Sequence, residues 1–203
     1  MKAEIFGLNF KISFPAVAFL TLAILCDNQG TVLICLFSSL FHELGHILVM
    51  KLKGAKIKSV SLNLGDVAIN ADLSQLSYKD ELLINAGGIA VNFILSFFSF
   101  VVYCLLRFEL FYSVFVANIL IGCFNFLPIR YLDGGQILLL ILQRYISQKV
   151  SERILNILTI CFMVPAGAIG ILFLFNSSYN FSLLFAVLYL ICTLVSKEFK
   201  DVS

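Results

Sequence analysis

Charge is scarce in this sequence: only 13% of its residues are Asp, Glu, Lys or Arg. An ordinary soluble domain carries about 25%, so a fold that faces water on all sides is excluded. The 14 basic and 12 acidic residues leave a formal net charge of +2. That is too little to attract nucleic acid, and the basic residues sit in short segments rather than along one helix face. Cysteine is present without pattern. Cys26, Cys35, Cys104, Cys123, Cys161 and Cys192 lie in apolar runs with no CxxC pair, which argues against a disulfide framework and a thiolate metal site. They read as small buried hydrophobes. No small-residue cleavage pattern follows the N-terminal MKAEIFGLNFKISF, so the apolar run after it reads as a retained first helix. Linkers, repeats and low-complexity stretches are missing as well, which leaves one domain over residues 1–203.

What the chain has in abundance is apolar residues, 61% of the total, with a mean hydropathy of +1.01. At about 20 residues per crossing, apolar runs at 12–26, 31–50, 81–106, 111–127, 154–175 and 180–196 predict about six transmembrane helices, with a further apolar stretch from Ile137 to Ile146. If the N-terminus is cytosolic, every one of the 14 lysines and arginines except Arg107 falls on the cytosolic side. The positive-inside rule then puts both termini in the cytosol. Residues 53–80 differ in kind: apolar and polar residues alternate in KIKSVSLNL and again in DVAIN around Gly65 and Asp66, which predicts a β-hairpin. The expected fold is therefore an all-α polytopic membrane protein carrying a small membrane-associated β-hairpin.

The second apolar run contains FHELGHIL, with His42, Glu43 and His46, and these are the chain's two histidines. Residues four apart share a helix face, so both imidazoles can grip one ion. Glu43, next to a ligand, can take a proton from an attacking water. A chance HExxH is common in soluble proteins. Three ionisable groups within five positions of a membrane helix, however, need a common partner, and a divalent cation supplies one. Catalytic zinc sites use three protein ligands and leave one position open. The third candidate is Asp133, in NFLPIRYLDGG, where Pro128 breaks the fourth run and Gly134 and Gly135 permit a tight turn. The competing reading makes Asp133 a helix N-cap. Topology favours the ligand, because the second and fourth runs both travel inward and deliver His42, His46 and Asp133 to the same side of the membrane.

HELGH in an early span, followed by Asn125, Pro128, Asp133, Gly134 and Gly135 spaced as N-x-x-P-x-x-x-x-D-G-G in a later one, resembles the site-2 protease family of intramembrane metalloproteases (peptidase family M50). The resemblance implies that His42, His46 and Asp133 bind Zn2+, that Glu43 is the general base, and that Asn125 helps to hold substrate. INAGGIAVNF, residues 84–93, is similar to the family's third core helix and adds Asn92 as a second substrate-binding candidate. On the residues alone, this stretch is equally a packing surface built on Ala86, Gly87 and Gly88. The alternating segment from Lys56 to Asn70 resembles the family's membrane-associated hairpin, which could receive substrate by strand addition; a plain surface hairpin fits it as well.

A short six-span form without a PDZ or CBS domain resembles most closely the bacterial branch that includes the sporulation protease of a pro-sigma factor. That implies regulated intramembrane proteolysis of a membrane-associated protein in a bacterial plasma membrane or forespore-type membrane, with a membrane regulatory protein as a further partner. The rival from another class is a membrane metal transporter or sensor using the same ligands. Glu43 speaks for hydrolysis, and the far halves of the spans lack the acidic and histidine residues that a transport path would need.

Overall fold

The computed structural model describes residues 2–5, 8–12, 30–63 and 66–176, together with positions 17, 21, 24, 25 and 27. It contains strands β1 (Lys2–Ile5) and β2 (Leu8–Ile12), helix α1 (Thr31–Leu52), strands β3 (Lys56–Asn63) and β4 (Asp66–Asp72), and helices α2 (Tyr78–Leu106), α3 (Glu109–Phe126), α4 (Asp133–Gln143) and α5 (Gln148–Asn176). Two compact units emerge, Met1–Phe126 and Leu127–Ser203, and each is described by itself.

In the first unit, α1 starts where Gly30 takes a left-handed φ of 72° and the Asp27 carboxylate accepts the Val32 N–H at 2.6 Å. This satisfies one of the donors that every helix start leaves over. The helix stops at Gly54, whose φ of 78° lets the chain turn back while Lys53, Gly54 and Ala55 donate to the last carbonyls. Helix α2 opens with a capping box in which Ser77 and Asp80 satisfy each other's backbone N–H. Its first turn is tied to the end of α1 by Lys53 and Asp80, 2.9 Å apart. Arg107, left-handed at φ 58°, ends α2 two residues before α3 begins. The two helices therefore form a tight antiparallel hairpin.

Four described helices are long and apolar enough to cross a membrane: α1, α2, α3 and the Gln148–Ile169 part of α5. At 11 residues α4 is too short to do so. The burial pattern is inverted relative to a soluble domain. Phe97, Phe98, Leu105, Leu120 and Val164 are exposed on helix flanks, whereas Asn92, Asn118, Ser151 and Thr159 are buried. That is the economy of a lipid-facing bundle, where a polar group must find its partner inside the protein.

The expectation of six crossings is met for four among the described residues; the runs at 180–196 and most of 12–26 lie outside them. The expected hairpin is present as β3 and β4, antiparallel from Lys56↔Asp72 to Asn63↔Asp66 with an irregularity between Ile57 and Ser59. It is not isolated. The sheet has four strands in the order β1-β2-β3-β4, with β2 running parallel to β3 from Asn9↔Ser59 to Ile12↔Leu62. Parallel neighbours require a long crossover, and here it includes α1. The alternation in LNFKI is the sequence signal for β2, and the reading of the N-terminus above did not use it. Where β4 ends, the Ser74 hydroxyl and amide, with Lys58 nearby, hold the Asp72 carboxyl below the usual carboxylate range.

In the second unit, residues 127–132 form a tight connection. Ile129 N–H donates to Leu127 O at 2.8 Å and Leu132 N–H to Ile129 O at 2.9 Å. The Arg130 N–H is capped by the Thr159 hydroxyl at 3.0 Å, and the Arg130 guanidinium reaches Asn156 Oδ1 at 2.7 Å, which ties the connection to α5. Gln136 donates its side-chain amide to Arg130 O. The backbone of Ile129 passes so close to Gly135 that a Cβ there would overlap it.

Candidate metal centre

His42 and His46 lie one helical turn apart on α1, both buried, at 5% and 8% exposure. Their rings stand almost perpendicular, with centroids 4.7 Å apart. Each ring is held through Nδ1. His42 Nδ1 lies 2.6 Å from Asn92 Oδ1, and His46 Nδ1 lies 2.7 Å from the backbone carbonyl of Ile84. Both partners are oxygens that only accept, so each Nδ1 carries a proton and each ring turns its Nε2 toward the other.

Those two Nε2 atoms are 3.2 Å apart. Two ring nitrogens stay that close when a cation, a shared proton or a metal ion, lies between them. Two imidazoles on a tetrahedral zinc with Zn–N bonds of about 2.0–2.1 Å have nitrogens about 3.3–3.4 Å apart, so the spacing fits that ion. Space is kept for it. Gly88 faces the pair, and a Cβ at that position would stand 2.7 Å from His42 Cε1 and 2.8 Å from His42 Nε2, and closer still to His46 Nε2. Its neighbour Gly87 does something else: a Cβ there would lie 2.9 Å from Gly45 O. Gly87 and Gly45 thus allow α1 and α2 to cross backbone to backbone.

Glu43 follows His42 on α1 and is half-buried. Asn92 is fully buried and spends its amide inside the unit, on His42, on Ser38 O at 3.3 Å and on Asn118 Oδ1 at 2.9 Å. Asn125, in the last turn of α3, donates to Ile121 O at 3.1 Å and is half-buried. In the second unit, Asp133 is the first residue of α4 rather than its cap. The N-cap is Leu132, with no side-chain hydrogen bond. A carboxylate in a first helical turn is favoured by the helix dipole, and one oxygen of Asp133 is buried. Asn118 and Ser38 were passed over in the sequence reading, where a lone Asn or Ser in an apolar run carries no distinguishing signal.

Residues 105–166 match the model of Peptidase family M50. A zinc metalloprotease of Methanocaldococcus jannaschii is 29% identical over 164 residues, which cover 74% of this chain and 48% of the relative. The chain thus spans about half the length of that curated relative. The solved structure of a site-2 protease from the same organism superposes with a TM-score of 0.71 at 24% identity, over 94% of this chain and 91% of that one. The fold is that of a site-2 protease. With four membrane-length helices, a chain of this fold is an integral membrane protein.

Proposed function

We propose that this chain, with its Peptidase family M50 segment and site-2 protease fold, is an intramembrane zinc metalloendopeptidase that cleaves a membrane-associated protein near the cytosolic side of the bilayer. The observation that carries the reading is the convergence of two Nε2 atoms 3.2 Å apart, each ring locked through its other nitrogen. His42, His46 and Asp133 are the donors proposed for the ion, a nitrogen-nitrogen-carboxylate set that suits zinc. Zinc, when bound, supplies a Lewis acid for the scissile carbonyl and makes a water acidic enough to attack at neutral pH.

The remaining work belongs to the chain's own side chains. Glu43 accepts the proton of the attacking water and returns it to the leaving amine. Asn92 and Ile84 O keep both imidazoles in the tautomer that offers Nε2. Asn125, at the end of α3, is the residue proposed to hold substrate. A polypeptide must be unwound to be cut, and the sheet offers an edge in β4 on which an extended segment could be laid. For the substrate we infer a regulatory membrane protein, of which a sporulation-type pro-sigma factor is one instance. The transporter alternative uses the same donors and gives Glu43 nothing to do.

Zinc content tests the donor set. His42→Ala, His46→Ala and Asp133→Ala each remove one donor, so bound zinc measured by mass spectrometry and cleavage of a membrane-tethered test substrate should fall together. An Asp133→Ala protein with full zinc and full activity would remove that residue from the site.

Orientation is tested separately. With both termini in the cytosol, reporter fusions at Asn28 and Ser178 should read as external. A cytosolic signal from either fusion contradicts the proposed orientation.

A further inference from the structure

The hydrogen bond to His42 Nδ1 is useful only if Asn92 presents its oxygen there and not its NH2 group. An amide side chain can turn over by 180° with little change of shape, so something must decide which end faces the ring. The decision can be traced to a backbone carbonyl. Val114 O, on α3, can only accept, and it takes a hydrogen bond from Asn118 Nδ2 at 2.9 Å; the same Nδ2 donates to Ser38 Oγ at 3.0 Å. That fixes Asn118 with its Oδ1 toward Asn92, whose Nδ2 donates to it at 2.9 Å and to Ser38 O at 3.3 Å. The oxygen of Asn92 is then left for His42, at 2.6 Å. The relay joins three helices and is closed to water: Asn118 is 1% exposed and Ser38 4%.

We propose that Asn118 is a positioning residue of the metal centre, setting the orientation of the Asn92 amide and through it the tautomer of His42. It touches neither metal nor substrate. The inference rests on the zinc reading above for its consequence, but not for its geometry. Replacing Asn118 by Leu keeps the branching at Cγ, with a somewhat larger side chain, and deletes both polar ends of the amide. Asn92 then retains only the longer bond to Ser38 O to fix it.

The test is a double-mutant cycle on zinc affinity, read by competition with a chromophoric chelator on the full chain in detergent or nanodiscs. Losing the outer partner of a zinc-bound histidine costs ~10- to 100-fold in affinity. Asn92→Leu should show that loss and Asn118→Leu a substantial part of it. The double variant should bind zinc no more weakly than Asn92→Leu alone, because one residue acts through the other. A purely structural Asn118 would lower thermal stability and leave zinc affinity unchanged, or would multiply with Asn92→Leu; either result overturns the proposal. Ring 15N spectra of the zinc-free protein give a second reading, with a single Nδ1-protonated His42 in the wild type and mixed tautomers in Asn118→Leu. Should the Leu variant not fold, Asn118→Ala makes the same comparison with a smaller side chain. A wild type that takes up no zinc overturns the function proposed above, and the ring spectrum still decides for or against Asn118.

Discussion

Replacing Glu43 by Gln should leave zinc in place and abolish cleavage. The amide has the size of the carboxylate and keeps one acceptor oxygen, so neither the packing of α1 nor the rings of His42 and His46 are disturbed. What it cannot do at neutral pH is accept a proton. Loss of a general base costs ~100- to 10,000-fold in rate, or about 3 to 5 kcal/mol of barrier. Zinc per protein, measured beside turnover of a membrane-tethered substrate, separates this outcome from loss of a ligand, in which both quantities fall. A Gln variant that cleaves within tenfold of the wild type would remove Glu43 from the mechanism. On the proposed function, the inactive variant should retain substrate and so serve as a trap for identifying it in the native cells.

Gly88→Ala and Gly87→Ala should fail in opposite ways although they are neighbours. The methyl group at 88 would occupy the space against both imidazoles, so the rings must move and the nitrogens can no longer converge. Zinc affinity should drop by at least ~100-fold, the upper end of what disturbing a ligand's surroundings costs, while the helices remain packed. The methyl at 87 meets the α1 backbone at Gly45 O and the Val49 side chain. Overpacking of that kind costs ~1–3 kcal/mol of stability, and protein that does fold should still bind zinc. Thermal unfolding and zinc titration on the two variants check the contrast. Equal zinc affinity in Gly88→Ala and wild type would show that position 88 does not border the metal.

The difference between these glycines illustrates what a sequence can and cannot disclose. Gly87 and Gly88 both read as small residues for close helix packing, and for Gly87 that is how the structure uses it. Which of two adjacent residues faces a neighbouring backbone and which faces a ligand depends on the rotation of α2 about its axis, and in a helix apolar on nearly every side no amphipathic pattern fixes that rotation. His42, Glu43 and His46 were legible because their spacing is local and three ionisable groups in an apolar run are conspicuous. Resemblance named Asn92 as a substrate-binding candidate, whereas its hydrogen bond to a histidine 50 positions away had no signal in the sequence. The pairing of Asn118 with Ser38 spans 80 positions and has no sequence signature at all. Pro128 and the Gly pair punctuate the chain just before and after the start of α4 at Asp133; that the cap falls on Leu132 could be seen only in the backbone.

The two imidazoles are secured unequally, one by a side chain and the other by Ile84 O. A main-chain carbonyl is present whatever residue occupies position 84, so no single codon change can delete the acceptor that His46 uses. The acceptor of His42 exists only while position 92 encodes a suitable side chain. Mutational robustness is therefore lopsided across a site only a few ångströms wide. Random substitution erodes the His42 half first, and the His46 half yields only to changes that bend or shift α2 itself.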